Sequence, residues 1–172
     1  MASWRRMTVD DVPKLLRVAD EVHPDLPESD REYVFTERVQ LFPEGCLMLA
    51  NEDKVYGYAI SHPIRYAQPP PLDSLLKEIP SDADQYYIHD VAILPELHRQ
   101  GHATKGIHIL LEVARRFTTT CLVSVYNTGP FWRRFGFEAE TVDEVLREKL
   151  GKYGDDAVYM SRRNAAVSEK DC

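Results

Sequence analysis

Tyr86-Tyr87-Ile88-His89-Asp90-Val91-Ala92-Ile93-Leu94-Pro95, followed by His98-Arg99-Gln100-Gly101-His102-Ala103, decides how this chain folds. The first run is rich in β-branched and aromatic residues and stops at a proline, so it reads as a strand over 85–94. Ala103, Ile107, Leu110, Leu111 and Ala114 then recur at helical spacing. A Gly-x-Ala turn between a strand and a helix aims free backbone N–H groups, and the positive end of a helix dipole, at one point. That is a site for a diphosphate. His89 and Asp90 lie inside the strand that leads to it, where a polar side chain is costly to bury without a purpose. The stretch implies a phosphate-bearing cofactor held beside a proton-transfer group.

Working outward, Trp4 to Thr8 reads as a first strand, with Thr8 and Asp11 at capping-box spacing. Val12, Leu15, Leu16, Ala19 and Val22 make residues 10–22 an amphipathic helix, broken by His23-Pro24-Asp25-Leu26-Pro27. Ser29-Asp30 starts a second helix that runs to about Leu41. Cys46 to Ala50 and Val55 to Ser61 form a hairpin around Asn51-Glu52-Asp53-Lys54. The stretch from Pro63 to Asp84 is too long for a simple connection and reads as a lid or binding wall. Leu72, Leu75, Leu76 and Ile79 predict one short helix within it. Cys121 to Tyr126 is the next strand, Asn127-Thr128-Gly129-Pro130 opens a short helix through Arg134, and strands follow Gly136 and at 157–161. Strands joined through helices, with hairpins at both ends, indicate a mixed α/β sheet. No repeat or second domain is visible: residues 1–164 form one domain, and 165–172 a polar, frayed tail.

With 172 residues, 44% of them hydrophobic and 28% charged, the chain can bury a sizeable core. A net charge of −7 argues against a general nucleic-acid or anionic-membrane surface. Three widely spaced cysteines, Cys46, Cys121 and Cys172, fit a reducing compartment; no metal-ligand spacing occurs, and the cytoplasm is the expected location. A dinucleotide fold is disfavoured because Gly-x-Gly-x-x-Gly is absent.

The chain resembles the GNAT superfamily of acetyl-CoA-dependent N-acetyltransferases. Its signature, Gln/Arg-x-x-Gly-x-Gly/Ala, is matched by His98-Arg99-Gln100-Gly101-His102-Ala103, with His98 departing from the first position. A second block is matched by Asn127-Thr128-Gly129-Pro130-Phe131-Trp132-Arg133-Arg134-Phe135-Gly136-Phe137. Within the superfamily the chain is most similar to the arylalkylamine (serotonin) N-acetyltransferases, which also place histidine in the fourth strand. The resemblance implies a mostly antiparallel sheet with helices on both faces, splayed between strands four and five. It also implies acetyl-CoA as cosubstrate, a small primary amine as acceptor, and a monomer or homodimer.

Acetyl transfer requires a neutral amine, and an alkylamine of pKa about 10 is neutral in roughly one molecule per thousand at pH 7. An imidazole near pKa ~6.5 is suited to take that proton. His89 is the expected base. Strand alternation puts Tyr87, His89 and Val91 on one face and Asp90 on the other, where Asp90 would meet a positive group or attract the amine. Tyr87 is expected beside His89 in the amine channel. The resemblance assigns an oxyanion-binding backbone N–H near Val91, and places Trp132 where many relatives carry the tyrosine that protonates the thiolate. Indole cannot supply that proton; Tyr126 is a candidate substitute, and departure of the thiolate with solvent help is the alternative. Cofactor contacts are expected from Val91, Ile93, His98, Arg99, Gln100, Gly101, His102, Ala103, Thr104, Asn127 and Trp132, with positive charge from Arg99 and Lys105. Tyr33, Phe35, Tyr66 and Pro69-Pro70-Pro71 are candidates for an aromatic-friendly acceptor wall. Competing readings are a silent acyl-CoA-binding module and a protein, peptide or polyamine N-acetyltransferase.

Overall fold

Alternating apolar runs and two amphipathic helices fold into one mixed sheet with helices on both faces. The computed structural model describes residues 1–24 and 30–165. Its strands are β1 (Ser3–Arg6), β2 (Cys46–Ala50), β3 (Val55–Ile64), β4 (Gln85–Ile93), β5 (Thr119–Ser124), β6 (Glu138–Ala139) and β7 (Val158–Arg163). The sheet order is β1-β2-β3-β4-β5-β7-β6, antiparallel throughout except for the β4–β5 pair. The helices are α1 (Val12–Val22), α2 (Glu32–Leu41), α3 (His102–Ala114), α4 (Gly129–Arg133) and α5 (Glu144–Gly151).

α1 and α2 cover one face: Val12, Leu15, Val18, Phe35 and Val39 pack on Met48, Tyr58, Ile60 and Ala92. α3 covers the other through Ile107, Leu110 and Ala114, against Ala59, Tyr86, Ile88 and Leu122. Both burials follow from apolar residues recurring every three to four positions. At the start of α1, the Asp11 carboxylate accepts the Thr8 N–H at 2.9 Å and a two-point contact from Arg5, which draws its pKa down to about 2.

Several boundaries differ from the sequence reading. β3 runs on to Ile64, so the connection is shorter than the expected loop by its first two residues. The helix expected from Leu72, Leu75, Leu76 and Ile79 does not form. Asp73 and Lys77 adopt φ of 52° and 70°, and their segment's N–H groups are taken by side chains of and before α2. Glu37 accepts the Leu76 and Lys77 N–H groups at 2.7 and 2.9 Å, and Asp30 accepts that of Asp73 at 2.6 Å. Helix α5, capped by Asp143 accepting the Leu146 N–H at 2.8 Å, is absent from the sequence reading. Of the interruption after α1, residues 25–27 lie outside the described residues, as do Ser29 and residues 166–172 of the expected tail. Among the described residues no helix is long and apolar enough to cross a membrane.

Gly106 shows how the sheet locates α3. A Cβ there would stand 2.6 Å from the Trp4 ring, whose Nε1 donates to the His102 carbonyl at 2.8 Å in the first turn of the same helix. A mid-helix glycine costs about 1 kcal/mol relative to alanine, so its presence answers to this close approach. Gly106→Ala is therefore expected to destabilise the fold by about 1–3 kcal/mol instead of stabilising it. Denaturant unfolding measures this, and a raised midpoint would refute the packing argument.

Candidate active site

β4 and β5 pair only at Tyr86↔Thr120, Tyr87↔Cys121 and Ile88↔Leu122. β4 continues to Ile93 without β5 beside it, so the sheet parts and leaves main-chain groups along that edge. The parting opens a cleft of about 900 Å³, lined by both strands, the ends of α1 and α4, and the start of α3.

At one end stands the turn before α3. Arg99 and Gly101 adopt φ of 61° and 80°, and among the described residues no side chain caps the helix. The first helical partner is formed by Lys105 N–H on the Gly101 carbonyl, at 3.1 Å, which leaves the N–H groups ahead of it for a ligand. Gly101, His102, Ala103 and Thr104 line the cleft, with Val91, Ile93, His98, Arg99 and Trp132. His98 Nε2 donates to the Ile93 carbonyl at 2.7 Å, so the side chain that departs from the family pattern ties the turn to the end of β4. Gln100 turns away: its amide donates to the Glu96 carbonyl at 2.9 Å, and it does not line the cleft. Lys105 is exposed and also outside it.

Asn127 is placed differently from expectation. It is exposed at φ 55°, its N–H bonds Asp156 at 3.1 Å, and Thr128 lines the cleft in its stead. The strand expected to run to Tyr126 ends at Ser124, because Tyr126 and Asn127 both turn left-handed. Trp132 is buried among Phe131, Phe135 and Phe137. The diphosphate-and-thioester shape of acetyl-CoA fits this end: uncapped N–H donors at a left-handed turn, Arg99 and Arg134 as cations, and a parted sheet with an open edge.

The other end carries carboxylates and imidazoles. β3 and β4 pair at Ile60↔Asp90 and next at Ser61↔Ile88, so His89 is an extra residue on β4. A bulge of this kind breaks the two-residue alternation. The expected faces are thereby corrected: Val91 joins the α3 side, whereas His89 and Asp90 both meet groups from the α1–α2 side. His89 Nε2 pairs with Asp30, just before α2, and both side chains are buried. Burial opposes the charge on Asp30, but His89, the Asp73 N–H and Arg38 outweigh it and hold the carboxyl below its usual range. A carboxylate only accepts, so Nε2 bears a proton, and the tautomer this bond selects for a neutral ring carries its lone pair on Nδ1. Nδ1 is buried with no hydrogen-bond partner among the described residues. His62 lies behind it, pushed down to about 3 mainly by burial and therefore neutral.

Asp90 binds His23 Nε2 at 3.1 Å and the Tyr58 hydroxyl at 2.6 Å. Tyr126, 43% exposed, lines the cleft with its ring stacked on His23. Tyr87 is fully buried, its hydroxyl 3.2 Å from that of Tyr153, and it does not reach the cleft wall; Tyr153 does. Of the expected aromatic wall only Phe35 lines the cleft, joined by Tyr58, Leu72 and Tyr153. Tyr33 instead bonds Asp73, and Tyr66 is exposed. His23, Asp30 and Tyr153 were not singled out by sequence for this site. The break after α1 and the polar start of α2 mark the first two, and nothing local marks Tyr153.

The profile of the Acetyltransferase (GNAT) family matches residues 13–137. No curated protein sequence matches the chain significantly. Among solved structures, the loading GNATL domain of CurA from Lyngbya majuscula superposes with TM-score 0.76 at 16% identity, covering 95% of this chain and 98% of that one. The GphF GNAT-like decarboxylase, in complex with isobutyryl-CoA, gives 0.73 at 13% identity over 94% and 98%. Naa20 from Chaetomium thermophilum, in complex with a bisubstrate analogue, gives 0.70 at 17% identity over 94% and 86%. Identities this low speak for the fold alone. With the profile spanning most of the domain and the cleft built at its signature turn, the chain belongs to the Acetyltransferase (GNAT) family and is an acetyl-CoA-dependent N-acetyltransferase.

Proposed function

We propose that this enzyme acetylates a small primary amine with an aromatic or otherwise apolar body, an arylalkylamine, with His89 as the base. The observation that carries the reading is the division of charge along the cleft. Arg99 and Arg134 are the lining arginines, with no lysine, among the described residues, whereas Asp20, Asp30 and Asp90 line the cleft with Phe35, Tyr58, Leu72 and Tyr153. Such an end attracts an ammonium group and accepts an apolar body, and offers no arginine or lysine to a substrate carboxylate.

Acetyl-CoA supplies an acetyl group already activated as a thioester. Asp30 holds His89 in the tautomer whose Nδ1 can take the amine proton, as a carboxylate orients imidazole in hydrolytic triads. The open edge of β4 near Val91 provides backbone donors for the developing oxyanion. Tyr126 carries a hydroxyl into the cleft for the leaving sulfur. Tyr87 packs its ring edge against His89, centroids 5.6 Å apart, and with Tyr153 fixes the floor of the acceptor end. Buried thiols at Cys46 and Cys121, each pushed up to about 12 mainly by burial, suit a reducing compartment such as the cytoplasm.

Thiol release from acetyl-CoA over tryptamine, phenylethylamine, polyamines, amino acids and a lysine peptide tests the substrate class. Arylalkylamines are expected to exceed amino acids at least ~10-fold in kcat/KM, one unpaired buried charge being worth that much or more. Equal turnover of amino acids or of the peptide would defeat the assignment. His89→Ala is expected to lower kcat about 10²–10⁴-fold while acetyl-CoA affinity stays near wild type. A pH–rate profile unchanged in that variant would remove His89 from the reaction. Gly101→Glu should do the reverse, because it forces a side chain to φ 80° and sets negative charge at the phosphate turn. Calorimetry should find CoA binding abolished, and retained binding would displace the cofactor from this turn.

A further inference from the structure

We infer that His23, held by Asp90, positions Tyr126 and resupplies its proton, so that Tyr126, His23 and Asp90 form the acid arm of the transfer, opposite the base arm of His89 and Asp30. The inference rests on the acetyltransferase reading above with Tyr126 as the proton donor. His23 closes α1, its N–H bonding the Ala19 carbonyl at 2.8 Å, which sets the imidazole at the negative end of the helix dipole. Its Nε2 lies 3.1 Å from Asp90 Oδ1, and its Nδ1 lies 3.4 Å from the Tyr126 hydroxyl. The His23 and Tyr126 rings stack at 5.7 Å between centroids and 12° between planes. Tyr126 sits at φ 55°, a conformation costly for a residue with a Cβ. That backbone turn is what lays its ring over the imidazole within the cleft.

The geometry suits a relay. Asp90 is itself oriented by the Tyr58 hydroxyl at 2.6 Å, so the carboxylate, the imidazole and the phenol are each fixed by a neighbour on a different element. The groups that bond or act on His23 are Asp90 on β4, Asp30 ahead of α2 and Tyr126 after β5; Tyr58 on β3 reaches Asp90, and Asp20 on α1 lines the same cleft. Burial opposes the charge on His23, but the charge and hydrogen bond of Asp90, with the charge of Asp30, outweigh it and raise the imidazole above its ordinary value.

The protons balance as follows. The substrate ammonium loses one proton to His89 before attack. As the carbon–nitrogen bond forms and the carbon–sulfur bond breaks, Tyr126 gives its hydroxyl proton to the sulfur and the nitrogen loses its second proton to solvent. The His23 imidazolium then returns a proton from Nδ1 to Tyr126 and regains one from water, His89 releases its own, and one proton leaves per acetyl group transferred.

The test uses the whole chain, acetyl-CoA and the amine that is turned over fastest. Tyr126→Phe keeps the stacked ring and removes only a hydroxyl at a half-exposed position, so folding is not at stake. Tyr126→Phe and His23→Gln are each expected to lower kcat about 10²-fold, with KM for acetyl-CoA within about threefold of wild type. The double variant should be no slower than the slower single one within about twofold, because both remove the same arm. His23 can supply a proton below its folded pKa, which lies above the ordinary imidazole value, and that supply is lost as pH rises through the folded pKa. Wild-type kcat should therefore fall on that alkaline limb, and the limb should vanish in His23→Gln and shift to lower pH in Asp90→Asn. Multiplying losses in the double variant, or a limb that persists in His23→Gln, would overturn the relay while leaving the acetyltransferase intact. A wild-type enzyme inert toward every amine would overturn the function and the relay together.

Discussion

The parting of β4 from β5 after three residue pairs is the constraint on which the rest of the site depends. Parallel strands can diverge only where something else satisfies or solvates the main-chain groups they stop sharing. Here the divergence coincides with the signature turn, whose own N–H groups before Lys105 also lack helical partners. Two sets of main-chain donors and acceptors thus face one cleft. α3 is held at its mouth by Trp4, which bonds the His102 carbonyl and packs on Gly106 from the far edge of the sheet.

A second constraint is the extra residue in β4. Without the bulge at His89, regular alternation would carry His89 and Asp90 to opposite faces. With it, both side chains meet groups from the α1–α2 layer, where each takes a partner of opposite character. Asp30 binds His89, and His23 binds Asp90. Buried charges are tolerated when paired and hydrogen-bonded, and these two pairs are also bound by Asp73 N–H and by Tyr58. Asp30 therefore has two roles, since the same carboxylate holds the His89 imidazole and anchors the strap over residues 72–77.

The strap explains why a long connection can be ordered without helix. Its backbone donors are satisfied by Glu37 and Asp30, and its Ser74 carbonyl by the buried Arg38 at 3.0 Å. Leucines at helical spacing suggested a helix there, yet side-chain acceptors on a neighbouring helix competed successfully for the same N–H groups. The same competition moved the end of β5: Tyr126 and Asn127 turn left-handed, with Asn127 N–H bound to Asp156, so the tyrosine leaves the sheet and enters the cleft.

The sequence by itself determined the mixed sheet, the strand–turn–helix of residues 85–114, the family, and the glycine turn at one end of the cleft. Those features rest on local periodicity and on a backbone conformation that Gly101 permits, which neighbouring residues suffice to specify. Only the tertiary structure decided which face His89 presents, because one inserted residue reverses alternation and shows solely in the register with β3. It also decided that Asp30, 59 positions away, holds His89, and that His23, 67 and 103 positions from its partners, joins Asp90 to Tyr126. Contacts across such separations are fixed by how α1 and α2 pack on the sheet, and no short-range pattern in the chain encodes them.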